Sequence, residues 1–148
     1  MQQGQESAVI EVVKEVFDGI VAPGYTREGI DEFYNYANEE NLAERAKDTH
    51  FTILAQDNAE ICGLIEIREP DHISMFFVRK NYQNKGVGKA LFNEAMAQIK
   101  KRNPNVDELT VNSSINAVSA YEHLGFVAQG GEQCFKGMIF VPMKLSLK

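Results

Sequence analysis

The sequence predicts one mixed α/β (α+β) domain, from its length, its composition and the order of its hydrophobic patterns. The chain has 148 residues, enough for one domain with its own core. Its hydrophobic fraction of 44% and charged fraction of 24% are typical of globular proteins. Helical and strand patterns succeed one another without a repeat, a low-complexity tract or a linker. We therefore expect residues 1–148 to form a single domain.

The first part of the chain has the pattern of helices. Apolar residues recur at helical spacing over residues 5–20, which indicates an amphipathic helix that the segment APGY at 22–25 ends. Thr26 can cap a second helix, because its hydroxyl can accept a hydrogen bond from a free backbone N–H of the first turn. Leu42 and Ala43 either continue this helix or begin another turn.

From His50 onward the pattern is that of strands. The runs HFTILAQ and EICGLIEIRE predict a hairpin, and HISMFFVRK at 72–80 predicts a third strand. A helix over 86–102 follows, and Pro104 stops it. The remaining segments are a strand, a short helix and two strands, with the sequences ELTVNSS, AVSAYEHLGF, FVAQ and MIFVPMKLSLK. We expect the long last strand to expose an edge through which two chains could form a homodimer.

Charge and cysteine content exclude several classes of protein. The net charge of −6 argues against a general nucleic-acid binder, which needs a basic surface. The sequence has no apolar run of about 20 residues for a membrane span and no signal-peptide pattern. Cys62 and Cys134 are far apart and lack a CxxC partner, so we expect buried, reduced thiols in a cytoplasmic protein. The three histidines are isolated, and we expect no metal.

A glycine-rich stretch, YQNKGVGKALF at 82–92, is the strongest local motif. It fails the P-loop pattern, because Gln83 and Ala90 replace the first glycine and the Ser/Thr. It also fails the dinucleotide fingerprint, because Leu91 replaces the third glycine. Its context still favours a phosphate or pyrophosphate, since a strand leads into glycines that open a helix with free N–H groups.

Two segments carry a resemblance to a known family. Residues 83–88, QNKGVG, resemble the Q/R-x-x-G-x-G/A loop of the GNAT superfamily of N-acetyltransferases. Downstream, Ala117, Tyr121, Gly125 and Phe126 stand at the family's spacing. The resemblance implies acetyl-coenzyme A as donor and a mostly antiparallel central sheet flanked by helices. It also implies a strand before the first helix, which we expect to be absent from this chain.

The resemblance also assigns residues to the coenzyme. The loop should bind the pyrophosphate, and the third strand should run beside the pantetheine arm. Ser114 stands where many members have Asn, so we include its neighbours Asn112 and Asn116. The candidate coenzyme-binding residues are Phe76, Phe77, Val78, Gln83, Asn84, Lys85, Gly86, Val87, Gly88, Lys89, Asn112 and Asn116.

Two residues are candidates for proton transfer. Tyr121 matches the family tyrosine near the coenzyme sulfur, so it is the candidate acid for the leaving thiolate. His72 lies eleven residues before Gln83, where several members place a base, and its usual pKa near 6.5 allows a neutral ring. Strand alternation predicts that His72, Ser74 and Phe76 share a face, so that Ser74 can hold a water. Glu66 and Glu69 are alternative bases, interpreted as solvated strand-end charges.

The acceptor pocket should lie between the first two helices and the last hairpin. Its candidate residues are Tyr25, Phe33, Tyr34, Ser74, Glu132 and Gln133. The expected function is acetyl transfer from acetyl-CoA to a primary amine of a small molecule or peptide, by direct attack in a ternary complex. The alternative is a non-catalytic module that binds coenzyme A or an acyl-CoA. An unrelated nucleotide binder is disfavoured, because neither phosphate fingerprint is complete.

Overall fold

A seven-stranded sheet organises the computed structural model, which describes residues 1–147. The strands are β1 (His50–Asp57), β2 (Glu60–Arg68), β3 (His72–Val78), β4 (Glu108–Ser113), β5 (Val127–Ala128), β6 (Gln133–Phe135) and β7 (Met138–Ser146). Their order is β1-β2-β3-β4-β7-β5, and β6 pairs with β7. Only the β3–β4 pair is parallel among these described strands. The predicted mixed, mostly antiparallel sheet is therefore confirmed.

Five α-helices flank the sheet: α1 (Glu6–Val16), α2 (Arg27–Tyr36), α3 (Glu39–Ala46), α4 (Val87–Arg102) and α5 (Val118–His123). A π-helical turn, Phe17–Val21, extends α1 to the end of the predicted first helix. The Thr26 hydroxyl accepts from the Gly29 N–H at 3.1 Å, as the capping argument predicts. Asn38 caps α3 in the same way, so Leu42 and Ala43 belong to a separate helix. No strand precedes α1 in residues 1–5.

Two cores lie on opposite faces of the sheet. On one face, α4 and α5 cover a cluster that includes Ile65, Leu91 and Leu109. On the other face, α1 and α3 cover a cluster that includes Leu42 and Leu64. Leu64 and Ile65 are adjacent and both fully buried, because successive strand side chains point to opposite faces. None of the helices in residues 1–147 has the length and apolar character needed to cross a membrane.

The last strand differs from the prediction. β7 pairs with β4 on one side and with β5 on the other, while Met138–Phe140 pairs with β6. The predicted exposed edge is therefore wrong, and the homodimer expected through that edge loses its basis. The pattern missed β6, because three exposed residues are too short to show a period. Lys148, the last residue of the predicted strand and domain, lies outside the described residues.

A gap opens between β3 and β4, in the middle of the sheet. Their parallel pairing covers only His72 with Thr110 and Ile73 with Val111. From Met75 to Val78, β3 pairs with β2 alone, so the β4 side of its backbone is open. This gap positions the candidate site.

Candidate active site

Two cavities meet at the gap between β3 and β4. The larger has a volume of about 700 Å³ and the smaller about 440 Å³. Phe76, Phe77, Ser114, Ala117 and Tyr121 line both of them. The two cavities are therefore halves of one cleft, and a molecule in each half would meet the other beside these residues.

The smaller cavity ends at the glycine-rich loop. Gly86 is the N-cap residue of α4 and has a left-handed backbone conformation (φ 85°). It has no side chain to cap the helix, so the backbone N–H groups of the first turn are left without a side-chain acceptor from this position. The side-chain amide of Gln83 donates to the Val78 carbonyl at 3.0 Å and ties the loop to β3. A Cβ at Gly88 would meet Val78 at 3.8 Å and Phe76 at 3.9 Å, so glycine keeps this wall clear. A bare helix N-terminus beside a clear wall suits a phosphate group.

Seven of the predicted coenzyme-binding residues line the smaller cavity: Phe76, Phe77, Val78, Gln83, Gly88, Lys89 and Asn116. Four others belong to the loop and first helical turn but do not line that cavity: Asn84, Lys85, Gly86 and Val87. Asn112 instead lines the larger cavity, beside Ser114. Asn112 and Asn116, which were both predicted to bind the coenzyme, therefore line different cavities.

Tyr121 lies where the cavities join. Its ring packs edge-to-face against Phe76, with centroids 6.2 Å apart, and against Phe126 at 5.4 Å. Within residues 1–147 its hydroxyl has no hydrogen-bond partner, and burial raises its pKa above the usual value. The hydroxyl therefore keeps its proton near neutral pH and can donate it into the cleft.

His72 lines the larger cavity at the start of β3. Its Nδ1 lies 2.7 Å from the Thr110 hydroxyl across the short parallel pairing. Burial, and then the positive charges of Arg68 and His50, lower the pKa of His72 to about 4. The ring is neutral at pH 7 as predicted, but it is a weaker base than its usual pKa near 6.5 suggests.

Glu66 differs most from its predicted environment. It is fully buried in β2, so the interpretation as a solvated strand-end charge is wrong. Its carboxylate accepts from Tyr36 at 2.9 Å, from Ser74 at 2.7 Å and from Arg45 Nε at 2.7 Å. These partners come from α2, β3 and α3, which the strand pattern of β2 cannot reveal. Glu69 lies at the surface, where it pairs with Arg102 at 3.4 Å.

A bulge corrects the predicted face of β3. The β2–β3 register shifts between Glu66 and Ile67, so Ser74 is an extra residue between Ile73 and Met75. Ser74 turns to Glu66 on the α1 and α3 side, whereas Phe76 packs in the core under α4 and α5. The prediction that Ser74 and Phe76 share a face is therefore wrong, because the bulge interrupts strand alternation.

The larger cavity lies between α2 and the β6–β7 hairpin. It is lined by four of the predicted acceptor residues, Tyr25, Phe33, Ser74 and Gln133. Tyr34 and Glu132 do not line it, and the Tyr34 hydroxyl donates to Asp18 instead. Sequence reasoning missed Glu32, Tyr36, Arg68 and Phe135. Helical spacing could have found Tyr36, which follows Phe33 by three positions and so lies on the same face of α2.

Within residues 1–147, no three His, Cys, Asp or Glu side chains cluster in a way that could hold a metal ion.

Comparison with known proteins identifies the class to which this fold and cleft belong. The family model described as "Acetyltransferase (GNAT) domain" matches residues 21–147. The chain therefore belongs to the GNAT acetyltransferase family, and it is an enzyme of the acyl-transfer class.

Solved structures share the fold over the whole chain. A GCN5-related N-acetyltransferase from Rhodopseudomonas palustris is 22% identical with a TM-score of 0.84, covering 99% of this chain and 92% of that one. The PaiA N-acetyltransferase of Thermoplasma acidophilum, in complex with coenzyme A, is 20% identical with a TM-score of 0.81 and coverage of 99% and 95%. The ribosomal-protein-S18-alanine N-acetyltransferase of Escherichia coli is 16% identical with a TM-score of 0.69 and coverage of 100% and 91%.

Proposed function

We propose that this chain transfers an acetyl group from acetyl-CoA to a primary amine of a small molecule or peptide, by direct attack in a ternary complex. The observation that carries this proposal is the pair of cavities that meet at Tyr121. A donor in the smaller cavity and an acceptor in the larger one can be in contact without an intermediate carrier. The coenzyme A complex of the structurally similar PaiA protein supports the same class of donor.

The smaller cavity is the proposed donor site. The first-turn N–H groups of α4 and the Lys89 side chain would hold the pyrophosphate. The open backbone of Phe76, Phe77 and Val78 would accompany the pantetheine arm, and an N–H there can polarise the thioester carbonyl. When bound, acetyl-CoA supplies an activated acetyl group and a thiolate leaving group.

Proton transfer is assigned to Tyr121, which lines both cavities, and to His72, which lines the larger one. An alkyl amine with a pKa near 10.4 is neutral in only about one molecule in 2,500 at pH 7, which costs about 4.6 kcal/mol. Apolar surroundings favour the neutral amine, and His72 is the proposed acceptor of its proton. Tyr121 is the proposed acid, because burial of its side chain raises its pKa and its hydroxyl keeps a proton that it can give to the thiolate.

The proposed location is the cytoplasm. Both cysteines are free thiols; Cys62 is buried as expected, whereas Cys134 is exposed on the short strand β6, so the expectation of burial is wrong for Cys134. Free thiols are typical of a reducing compartment.

Thermal melting with acetyl-CoA and with free coenzyme A, each at about 1 mM, tests the donor site. A ligand at about 100 times its Kd stabilises the folded state by about 2.7 kcal/mol, which raises the Tm by roughly 5–11 °C. The same shift is expected for Gly131→Val, in the β5–β6 loop, where a Cβ meets open space. Gly88→Val should lose the shift, because its side chain enters the donor cavity.

A panel of primary amines, with release of the coenzyme thiol as the readout, then tests transfer. Turnover with an amine supports the proposal. The absence of any ligand-induced shift contradicts coenzyme binding. A shift without turnover of any amine contradicts catalysis and favours the alternative of a non-catalytic coenzyme A module.

A further inference from the structure

A buried carboxylate stands behind the wall of the larger cavity. Glu66 is fully buried, and it accepts from the hydroxyls of Tyr36 and Ser74 and from both Nε and an Nη atom of Arg45. The side chain of Arg45 is 10% exposed, and its guanidinium balances the negative charge. Glu66 does not itself line the larger cavity, whereas Tyr36 and Ser74 do. It can therefore act on a molecule in the cavity only through those two hydroxyls.

The Glu66 carboxylate determines whether the hydroxyls of Tyr36 and Ser74 can donate or only accept hydrogen bonds toward the cavity. A carboxylate can only accept, so the single protons of Tyr36 and Ser74 point to Glu66. Burial and the nearby carboxylate also raise the pKa of Tyr36, so that its hydroxyl retains this proton. Toward the cavity, each hydroxyl oxygen then presents only lone pairs, so it can accept a hydrogen bond from a bound molecule but cannot donate one. This part of the wall accepts hydrogen bonds and offers no hydroxyl donor.

Aromatic and other apolar side chains line much of the rest of the larger cavity, together with polar side chains that include Glu32, Asn112 and Gln133. Phe17 and Phe33 stack with ring centroids 3.8 Å apart, and Phe77 meets Phe33 edge-on at 6.2 Å. Phe135 and Phe140 line the cavity from the β6–β7 hairpin. These rings surround a volume that can hold an aromatic-sized group, and they offer it no hydrogen bonds. A polar or charged group that lay against these rings alone would lose hydration without compensation.

We propose that the acceptor is a primary amine on an apolar, aromatic-sized body, whose N–H groups donate to the oxygens of Ser74 and Tyr36. Glu66 is the positioning residue, since it directs both hydroxyl protons away from the cavity. This inference rests on the proposed function and names the substrate class of the same site.

Acceptor choice is the first test. The wild-type enzyme is given acetyl-CoA with 2-phenylethylamine, spermidine or L-lysine, and thiol release is followed. We expect kcat/KM for 2-phenylethylamine to exceed that for each of the others by about tenfold or more. Equal or greater activity with spermidine or lysine overturns the inference. If the coenzyme-induced Tm shift is retained in that case, the proposed donor site stands, and only the acceptor class is wrong.

Variants test the hydroxyl arrangement. Ser74→Ala, Tyr36→Phe and Glu66→Gln should each raise the KM for 2-phenylethylamine about tenfold or more, as expected for loss or misdirection of a hydrogen bond to a charged group. The KM for acetyl-CoA should stay within about twofold. Ser74→Thr should retain a low amine KM because it keeps the hydroxyl. Glu108→Gln is the matched control, since that carboxylate only pairs with Lys144 at 3.6 Å on the surface.

Two results of this series would overturn the inference: an unchanged amine KM in Ser74→Ala and Tyr36→Phe, or an equal rise in both KM values. If Glu66→Gln does not fold, the Ser74 and Tyr36 variants decide the question alone. They remove one hydroxyl each and leave the Glu66–Arg45 ion pair in place.

Discussion

Tyr121 is a buried tyrosine whose hydroxyl has no partner within residues 1–147, and it lies on the wall shared by the two cavities. We predict that Tyr121→Phe lowers kcat about 100-fold or more, as expected when a general acid is lost. The KM for acetyl-CoA should change little, because the ring and its packing remain. The Tm should also change little, because no hydrogen bond is broken. Steady-state thiol release and a melting curve measure both effects, and an undiminished kcat would exclude Tyr121 as the acid.

The lowered pKa of His72 predicts that the stability of the folded protein depends on pH. Its pKa is lowered to about 4 in the folded protein, whereas the unfolded chain takes up this proton near pH 6.5. Between these values the unfolded state binds more protons, so the stabilising contribution is complete above pH 6.5 and is lost as the pH falls toward 4. At pH 5 the free energy of unfolding should be about 1 kcal/mol lower than at pH 7, allowing for the partial exposure of the ring.

Denaturant unfolding of the wild type and of His72→Gln at pH 7 and pH 5 measures this effect. The variant should lose less stability than the wild type over that interval, because it lacks the titrating ring. His50, whose pKa burial also lowers, is present in both proteins and serves as the common background. An equal loss in the two proteins would contradict the lowered pKa of His72.

The contact between α2 and the β6–β7 turn shapes the larger cavity. The Thr26 hydroxyl donates to the Gly137 carbonyl at 3.3 Å, and a Cβ on Gly29 would overlap that same carbonyl. Glycine at position 29 therefore lets the helix and the turn touch through their backbones. This close approach brings Phe33 of α2 and Phe135 of β6 into the lining of one cavity.

Gly29→Ala should separate these two elements. We predict a loss of about 1–3 kcal/mol in the free energy of unfolding, as is typical of overpacking. The KM for the amine should rise, while the coenzyme-induced Tm shift should remain. Gly19→Ala is the matched control, since it also lies in a helical segment but its Cβ meets open space. A Gly29→Ala protein that melts like the wild type would contradict the close contact.

The sheet joins the two cores and should make the chain unfold as one unit. Leu42 and Leu91 are buried in different cores, on opposite faces of the sheet. We predict that Leu42→Ala and Leu91→Ala each cost about 2–5 kcal/mol, which lowers the Tm by roughly 5–15 °C. Calorimetry should show one transition in each variant. Two separate transitions in either variant would contradict the prediction of a single domain.

The sequence alone determined the features that depend on near neighbours along the chain. Hydrophobic period and a capping threonine predicted α1 and α2, and strand patterns predicted the β1–β2 hairpin. The loop at 83–88 and the spacing around Tyr121 pointed to the family that the comparison confirms. These features are readable because caps, turns and periodic faces involve residues only a few positions apart.

Only the tertiary structure decided which groups surround the larger cavity. Glu66 has the sequence context of an exposed strand-end charge, yet its partners Arg45 and Tyr36 lie 21 and 30 positions away. The bulge that turns Ser74 toward it, and the pairing that covers β7, likewise depend on the register between strands. Burial of a charge requires partners from several elements at once, and no local pattern records where those elements will meet.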